Sequence, residues 1–283
     1  MKVKEAFSYL LEKLSQIEDP YFAKKEAREI LAHLLNLSPL EIYLYPEKEV
    51  AKEELERILK ERLTLKPLPY ILKKVYFFGR AFYLEEGVLI PRQESEILVE
   101  VILNIIREQR LKDGTLLELG CGSGVLSITL LLEEKSLRVF ANDISDTALK
   151  VTRENAKMHM VVERLRLLKG DFLSPFKKKP LFHLIFSNPP YLSHKEWEAL
   201  EPEVKLFEPK EALLSGIQGT EFQEILIREA SFYLKEGGFL IFEMGYNQSQ
   251  RIAELAKDFN WKYQFFKDLL GYERVALLWR ENI

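Results

Sequence analysis

Apolar positions in the first quarter of the chain return at helical spacing, whereas later they gather into short runs. Val3, Ala6, Phe7, Leu10, Leu11, Leu14 and Ile17 recur at the period of one helix face. Asp19-Pro20 then supplies an N-cap and a first-turn proline for a second helix carrying Ala23, Ala27, Ile30, Leu31, Leu34 and Leu35. Ser38-Pro39 repeats that start signal for a short third helix, and Val50, Ala51, Leu55, Ile58, Leu59 and Leu63 predict a fourth. Residues 1–75 therefore read as a small helical domain. From Lys66 the texture changes, because Lys66-Pro67-Leu68-Pro69-Tyr70 cannot lie inside a helix. Val75–Phe78 and Ala81–Leu84, around a turn at Gly79-Arg80, predict a hairpin, so residues 76–91 form a linker into a second domain over 92–283.

That second domain opens on a helix with Ile97, Leu98, Val101, Ile102 and Ile105. Apolar runs then alternate with helical patterns: Thr115–Leu119, Leu137–Ala141, Arg164–Leu168, Leu181–Ser187, Phe239–Phe242, Trp261–Phe266 and Val275–Trp279. Such alternation predicts an α/β fold, a doubly wound, seven-stranded, mainly parallel sheet of Rossmann-like type with helices on both faces. Only Lys267–Arg274 separate the last two runs, too few residues for a crossover helix, so these strands must pair antiparallel.

Composition changes the picture by exclusion. The 283 residues carry 41 Lys and Arg against 44 Asp and Glu, a net charge of -3, so no excess cationic field exists to grip nucleic-acid phosphates. Residues 1–75 hold 14 basic and 13 acidic side chains, a balance that fits solvated faces rather than a nucleic-acid surface. Cys121 is the single cysteine, and the four histidines are scattered, so neither a disulfide nor a metal site is expected. His183 and His194 read as structural or surface residues, and Lys177-Lys178-Lys179 as a solvated turn. No run approaches the roughly 18 apolar residues of a membrane helix, and the N-terminus lacks a signal-like apolar stretch. A soluble, cytoplasmic protein with no membrane partner is expected, acting as a monomer.

Candidate chemistry sits at the ends of the apolar runs. Thr115–Leu119 passes directly into Gly120-Cys121-Gly122-Ser123-Gly124 and a helical stretch, a junction where backbone and helix N-terminal amides can approach a ligand. Asp143 ends the next run, 23 residues after Gly120, where a carboxylate can accept both ribose hydroxyls of an adenosine-containing ligand. The spacing is G-x-G-x-G, whereas the dinucleotide fingerprint places its third glycine one residue later beneath a pyrophosphate. S-adenosylmethionine, which has no phosphate, is thus favoured over a dinucleotide, and an oxidoreductase or a non-catalytic adenosine module becomes the rival reading. Asp171 could accept from the adenine amine while Phe172 flanks the ring.

The fourth run leads into Ser187-Asn188-Pro189-Pro190-Tyr191. Consecutive prolines remove two amide donors and stiffen the chain, leaving carbonyl oxygens free to face a ligand. The Asn188 side-chain oxygen and the Pro189 carbonyl can hold both N–H groups of an amide or amidine-like NH2 and aim its delocalised lone pair at an electrophilic methyl. Tyr191 supplies an aromatic face near substrate and sulfonium. No strong base is needed, because the proton can leave once the nitrogen carries positive charge.

Together these motifs resemble the HemK/PrmC family of protein-(glutamine-amide) methyltransferases. The resemblance runs through the helical domain, Leu89-Ile90-Pro91-Arg92 with Glu96, Leu117-Glu118-Leu119-Gly120-Cys121-Gly122-Ser123-Gly124, Asn188-Pro189-Pro190-Tyr191, Glu208-Pro209 before Ala212-Leu213, and Gly271-Tyr272-Glu273-Arg274-Val275. It implies that Gly120–Gly124, Asp143, Asp171, Phe172 and Asn188 hold S-adenosylmethionine. It further implies that Asn188–Tyr191 bind the glutamine of the Gly-Gly-Gln motif in class I peptide chain release factors, with Asn188, Pro189 and Tyr191 catalytic. N-P-P-Y is shared with DNA and RNA amino-methyltransferases, so a nucleobase amine is the alternative acceptor. The family's P-R-P-x-T-E here reads Pro91-Arg92-Gln93-Glu94-Ser95-Glu96, in which Ser95 keeps the hydroxyl, and Gly216-Ile217-Gln218-Gly219-Thr220 lacks the usual acidic residue before its last glycine.

Overall fold

A computed structural model describes residues 1–280. The chain divides into two units, one of residues 1–74 with 202–207, the other of 75–201 with the residues from 208 onward.

The first unit contains α1 (Val3–Leu14), α2 (Pro20–Leu35), α3 (Lys52–Arg62) and α4 (Leu68–Leu72). Ala6, Leu10 and Leu14 from α1 meet Ala27, Ile30 and Leu31 from α2 and Leu55 and Ile58 from α3 in one apolar core. Asp19 caps α2 by accepting from the Tyr21 N–H at 2.9 Å, and Asn36 ends it in the left-handed conformation at φ 54°. The helix expected after Ser38-Pro39 is only a single 3-10 turn, Glu41–Leu44. Pro67 and Pro69 do not interrupt a helix; they start α4, with Pro67 as its N-cap, where the first N–H groups lack partners anyway.

The second unit begins with a hairpin, β1 (Lys74–Phe77) and β2 (Arg80–Tyr83). Its turn is Phe78-Gly79, one residue earlier than the sequence suggests, with φ of 50° and 71° as a two-residue hairpin turn of the primed type requires. The hairpin is pinned by Asn155, whose side chain accepts from the Tyr83 N–H at 2.6 Å and donates to the Tyr83 and Ser123 carbonyls at 2.9 and 2.8 Å.

There follow α5 (Glu96–Glu108), β3 (Thr115–Leu119), α6 (Val125–Glu133), β4 (Arg138–Asp143), α7 (Asp146–Met158), β5 (Leu165–Lys169) and β6 (Phe182–Ser187). After β6 come β7 (Leu192–Ser193), α8 (His194–Glu198), α9 (Pro202–Phe207) and β8 (Leu214–Gly216). The chain closes with α10 (Glu221–Glu229), β9 (Leu234–Glu243), α11 (Ser249–Asp258), β10 (Lys262–Lys267) and β11 (Glu273–Trp279). Seven strands form one sheet in the order β10-β11-β9-β6-β3-β4-β5, and the short β7 and β8 pair separately. β11 runs antiparallel to both neighbours, whereas β9, β6, β3, β4 and β5 are parallel.

Neighbouring residues in each strand face opposite layers. Leu116, Leu184, Phe186 and Ile241 point to the layer holding α5 and α6, while Leu117, Ile185, Leu240 and Phe242 point to the one holding α10 and α11. The strand order reverses between β3 and β6, and in open parallel sheets such a switch opens a ligand crevice beyond the carboxyl ends.

Candidate active site

Strand register builds the site. Asn142, Leu119, Ser187 and Phe242 pair side by side across β4, β3, β6 and β9. One residue further along each strand therefore lie Asp143, Gly120, Asn188 and Glu243, a row of candidate site positions at the carboxyl edge. The Ser187 hydroxyl donates to the Leu119 carbonyl at 2.7 Å and locks β6 to β3 where the two loops depart.

Gly120, Gly122 and Gly124 all have positive φ, 71°, 53° and 78°, which lets the loop turn from β3 into α6. A Cβ at Gly120 would meet nothing within 4 Å, so open space faces the chain there. At Gly124 a Cβ would sit 2.6 Å from Thr152, so close packing of α6 on α7 demands glycine. Asp143 accepts from the Gly122 N–H and the Ser145 N–H, both at 2.9 Å, and is half-buried. Burial raises its carboxyl above the ordinary aspartate value, opposed by the N–H groups of Ser145, Gly122 and Ile144. Beneath the loop Glu118 is buried and accepts from the Ser127 hydroxyl; burial pushes it up to about 8, so it is predominantly neutral at pH 7. Its Oε1 has no hydrogen-bond partner. The Cys121 and Ser123 side chains are buried, Cys121 against Thr152, and the Cys121 thiol is pushed well up by burial. These two residues therefore present backbone, not side chain, to any ligand.

Asp171 and Phe172 follow β5. The Asn142 side chain holds this turn by donating to the carbonyls of Gly170 and Phe172 at 2.9 and 2.7 Å. Asp171 is exposed, and Phe172 stacks on Phe222 with centroids 4.8 Å apart. Phe222, from α10, completes an aromatic wall that no local motif announces.

The cradle suits S-adenosylmethionine. Open space lies above Gly120, a carboxylate stands at the end of the adjacent strand, and a stacked aromatic pair follows the strand beyond.

On the other side of the switch point, Leu89, Arg92, Asn188, Tyr191, Ala212 and Leu213 line one pocket. Three separated segments thus converge. Glu208 joins them by accepting from the Ile90 N–H at 3.2 Å and the Arg92 guanidinium at 2.5 Å. Pro189 is buried and Pro190 half-buried. The Asn188 Nδ2 donates to the Ser95 hydroxyl at 3.1 Å. Tyr191 hydrogen-bonds through its hydroxyl to Glu243, and burial with that carboxylate's charge raises its pKa strongly. Gln248 fixes the backbone of this loop, donating to the carbonyls of Tyr191 and Gly219 at 2.7 and 3.0 Å. Gly219, at φ 85°, lies so close that a Cβ would approach Tyr191 O to 2.8 Å. The carboxylate absent from position 218 is supplied by Glu221, which accepts from the N–H groups of Gln218 and Gly219 at 2.8 and 2.9 Å.

Glu243 and Gln248 were not singled out by the sequence, and Ser95 and Glu208 entered only through the family resemblance. Glu243 and Glu118 did leave a signal, since each interrupts an apolar strand at its carboxyl end, where an uncompensated charge is costly. His183 accepts from the Thr115 N–H at 3.0 Å, a structural contact away from the site.

Comparison with known proteins joins this geometry to a family. Residues 92–209 match the methyltransferase small domain and residues 5–72 the PrmC N-terminal domain. The release factor glutamine methyltransferase of Aquifex aeolicus is 38% identical over 99% of this chain and 96% of its own length. That of Thermodesulfovibrio yellowstonii is 33% identical over 95% of this chain and 97% of its own. Among solved structures, a methyltransferase from Pyrococcus furiosus aligns with TM-score 0.52 at 18% identity, covering 82% of this chain and all of that one. The ribosomal protein L11 methylase of Lactobacillus delbrueckii aligns with TM-score 0.51 at 22% identity, covering 70% and 84%. These two share the fold; the full-length sequence matches carry the assignment, and by them the chain belongs to the release factor glutamine methyltransferase family.

Proposed function

We propose that this protein methylates the side-chain amide nitrogen of a glutamine, that of the Gly-Gly-Gln motif in class I release factors, using S-adenosylmethionine. The observation that carries the reading is the pocket at Asn188: its Nδ2 donates to Ser95, which leaves Oδ1 as an acceptor, and the carbonyl of the next residue, Pro189, would be the second. Two acceptors suit the two N–H bonds of a primary amide. Holding both N–H groups turns the nitrogen lone pair toward the cofactor side of the crevice and stabilises the positive charge that grows on nitrogen. Gly120–Gly124, Asp143, Asp171 and Phe172 would hold the cofactor, which supplies a methyl group on a cationic sulfur. With the cofactor bound there, Asn188 Oδ1 and the Pro189 carbonyl would hold the amide nitrogen facing that methyl and would stabilise the nitrogen's positive charge until one N–H proton leaves. Tyr191 walls the pocket, its hydroxyl tied to Glu243, and its high pKa keeps it neutral rather than a base.

In this reading the enzyme works in the cytoplasm as a monomer and forms no stable complex with nucleic acid. Among the described residues no helix is long and apolar enough to cross a membrane. The test is incubation with labelled S-adenosylmethionine and, separately, release factor, its Gln→Ala variant, DNA and ribosomal RNA. Label that disappears with the glutamine is expected. Label in nucleic acid alone, or equal label in the Gln→Ala variant, would overturn the substrate assignment.

The cofactor side gives a separate expectation. Asp143→Ala removes a carboxylate that stands at the end of β4 and orders Gly122, and hydrogen bonds to charged groups contribute about 1.5 to 3 kcal/mol. Affinity for S-adenosylhomocysteine should fall roughly 10- to 100-fold by calorimetry, with turnover at saturating cofactor much less affected. Unaltered affinity would remove Asp143 from the cofactor site.

A further inference from the structure

A primary carboxamide is nearly symmetric in shape, so its neighbours decide whether its oxygen or its NH2 faces a pocket. At Asn188 that decision runs through two buried residues from distant parts of the chain. Ser95, immediately before α5, and Glu243, the last residue of β9, are 3% and 1% exposed. The Ser95 hydroxyl donates to Glu243 Oε2 at 2.5 Å. Glu243 accepts the Ser95 proton, and a hydroxyl has only one, so Ser95 can offer Asn188 nothing but a lone pair. Asn188 must then turn its NH2 toward Ser95, at 3.1 Å, and its oxygen away. The same carboxylate takes the Tyr191 hydroxyl, so it fixes two members of N-P-P-Y at once. Burial raises this carboxyl above the ordinary glutamate value, and the Ser95 hydroxyl, the charge of Arg274 and the Tyr191 hydroxyl oppose that shift, with the guanidinium itself anchored to Asp268 at 3.1 Å.

We infer that Ser95 and Glu243 are positioning residues that set the hydrogen-bond polarity of the acceptor pocket, and that this polarity selects a primary amide over a carboxylate. The inference rests on the glutamine reading above. With both Asn188 Oδ1 and Pro189 O presented as acceptors, a glutamate in place of glutamine would bring two further acceptors against them and be rejected. If the relay is broken, Asn188 can rotate and present its NH2, and the rejection weakens.

The variants are Glu243→Gln, which keeps the shape but can donate to Ser95, and Ser95→Ala, with Ser95→Thr as the variant that restores a hydroxyl. Three quantities are read on the full-length enzyme: kcat on release factor, S-adenosylhomocysteine affinity, and inhibition by release factor carrying Gln→Glu in Gly-Gly-Gln. Both relay-breaking variants should lose roughly 10- to 100-fold in kcat, as when one preorganised contact is lost, while cofactor affinity stays within about twofold. The Gln→Glu factor should inhibit them at least tenfold better, relative to the glutamine factor, than it inhibits the wild type. Ser95→Thr should recover both turnover and rejection. Wild-type kcat in Glu243→Gln and Ser95→Ala, or reduced kcat with wild-type rejection of the glutamate, would overturn the relay. Failure of the wild type to label glutamine is a different result. It removes the substrate reading, and the same variants then test the relay on the amine that is labelled, by kcat against cofactor affinity.

Discussion

Asn188→Ala is expected to lower methyl transfer by roughly 10²- to 10³-fold, with cofactor affinity nearly unaltered, because one preorganised acceptor is lost at the reacting nitrogen. The register of β6 against β3 sets the location of this residue, one position beyond the Leu119–Ser187 pair, at the mouth of the switch-point crevice. In the proposed mechanism its oxygen would act on the amide only in the reactive complex, so the loss should appear in kcat more than in binding. The comparison with Asn188→Asp sharpens the point. Aspartate keeps an acceptor oxygen but cannot donate to Ser95, and it places a second carboxylate one hydroxyl away from buried Glu243. It should therefore fail to restore activity. Single-turnover kinetics with saturating cofactor would check both variants. Near-normal turnover in Asn188→Ala would remove the chemical role assigned to N-P-P-Y.

Much of this architecture was legible because it depends on local signals. The seven apolar runs became the seven strands, and the short Lys267–Arg274 connection forced the β10–β11 pairing, since eight residues leave room for a turn and nothing more. Gly120–Gly124 and N-P-P-Y were visible because sharp turns and missing donors require particular residue types nearby in sequence. What stayed hidden is held by contacts over long separations. Ser95 reaches Glu243 across 148 positions and Arg92 reaches Glu208 across 116, and neither partner carries a local pattern that names the other. That Pro202–Phe207 groups with the helical unit was hidden too, since a six-residue helix with no buried apolar stripe has no periodicity to read. Phe222 was likewise invisible, since its stacking on Phe172 depends on how α10 lies beside the sheet.

Arg62 carries the largest expected effect on stability. It is fully buried in the helical unit, where its Nε donates to both oxygens of Glu26 at 3.0 and 2.9 Å and its Nη2 reaches Glu18 and, at 3.1 Å, Glu203. Removing the cation leaves carboxylates packed together without compensation, and breaking a buried ion pair from one side costs about 3 to 5 kcal/mol. Arg57 is the control: it pairs with Glu54 and Glu61 on an exposed helix face, where such contacts contribute about 0.3 to 0.5 kcal/mol each. Arg62→Ala should therefore unfold at much lower denaturant than Arg57→Ala, with amide-exchange protection lost first in α2 and α3. The deficit should also depend on pH. Burial outweighs the attraction of Arg62 and lifts Glu26 from 4.5 to about 7, so the folded state holds more protons than the unfolded one across that window. Its contribution is fully present below pH 4.5 and declines as pH rises toward 7. Without the guanidinium, Glu26 is lifted further and the decline extends to higher pH, so the variant should lose more stability at pH 8 than at pH 5. Denaturant midpoints for wild type and Arg62→Ala at both values would check this, and a deficit that is larger at pH 5 would refute the assignment of Arg62 as the neutralising centre of the cluster.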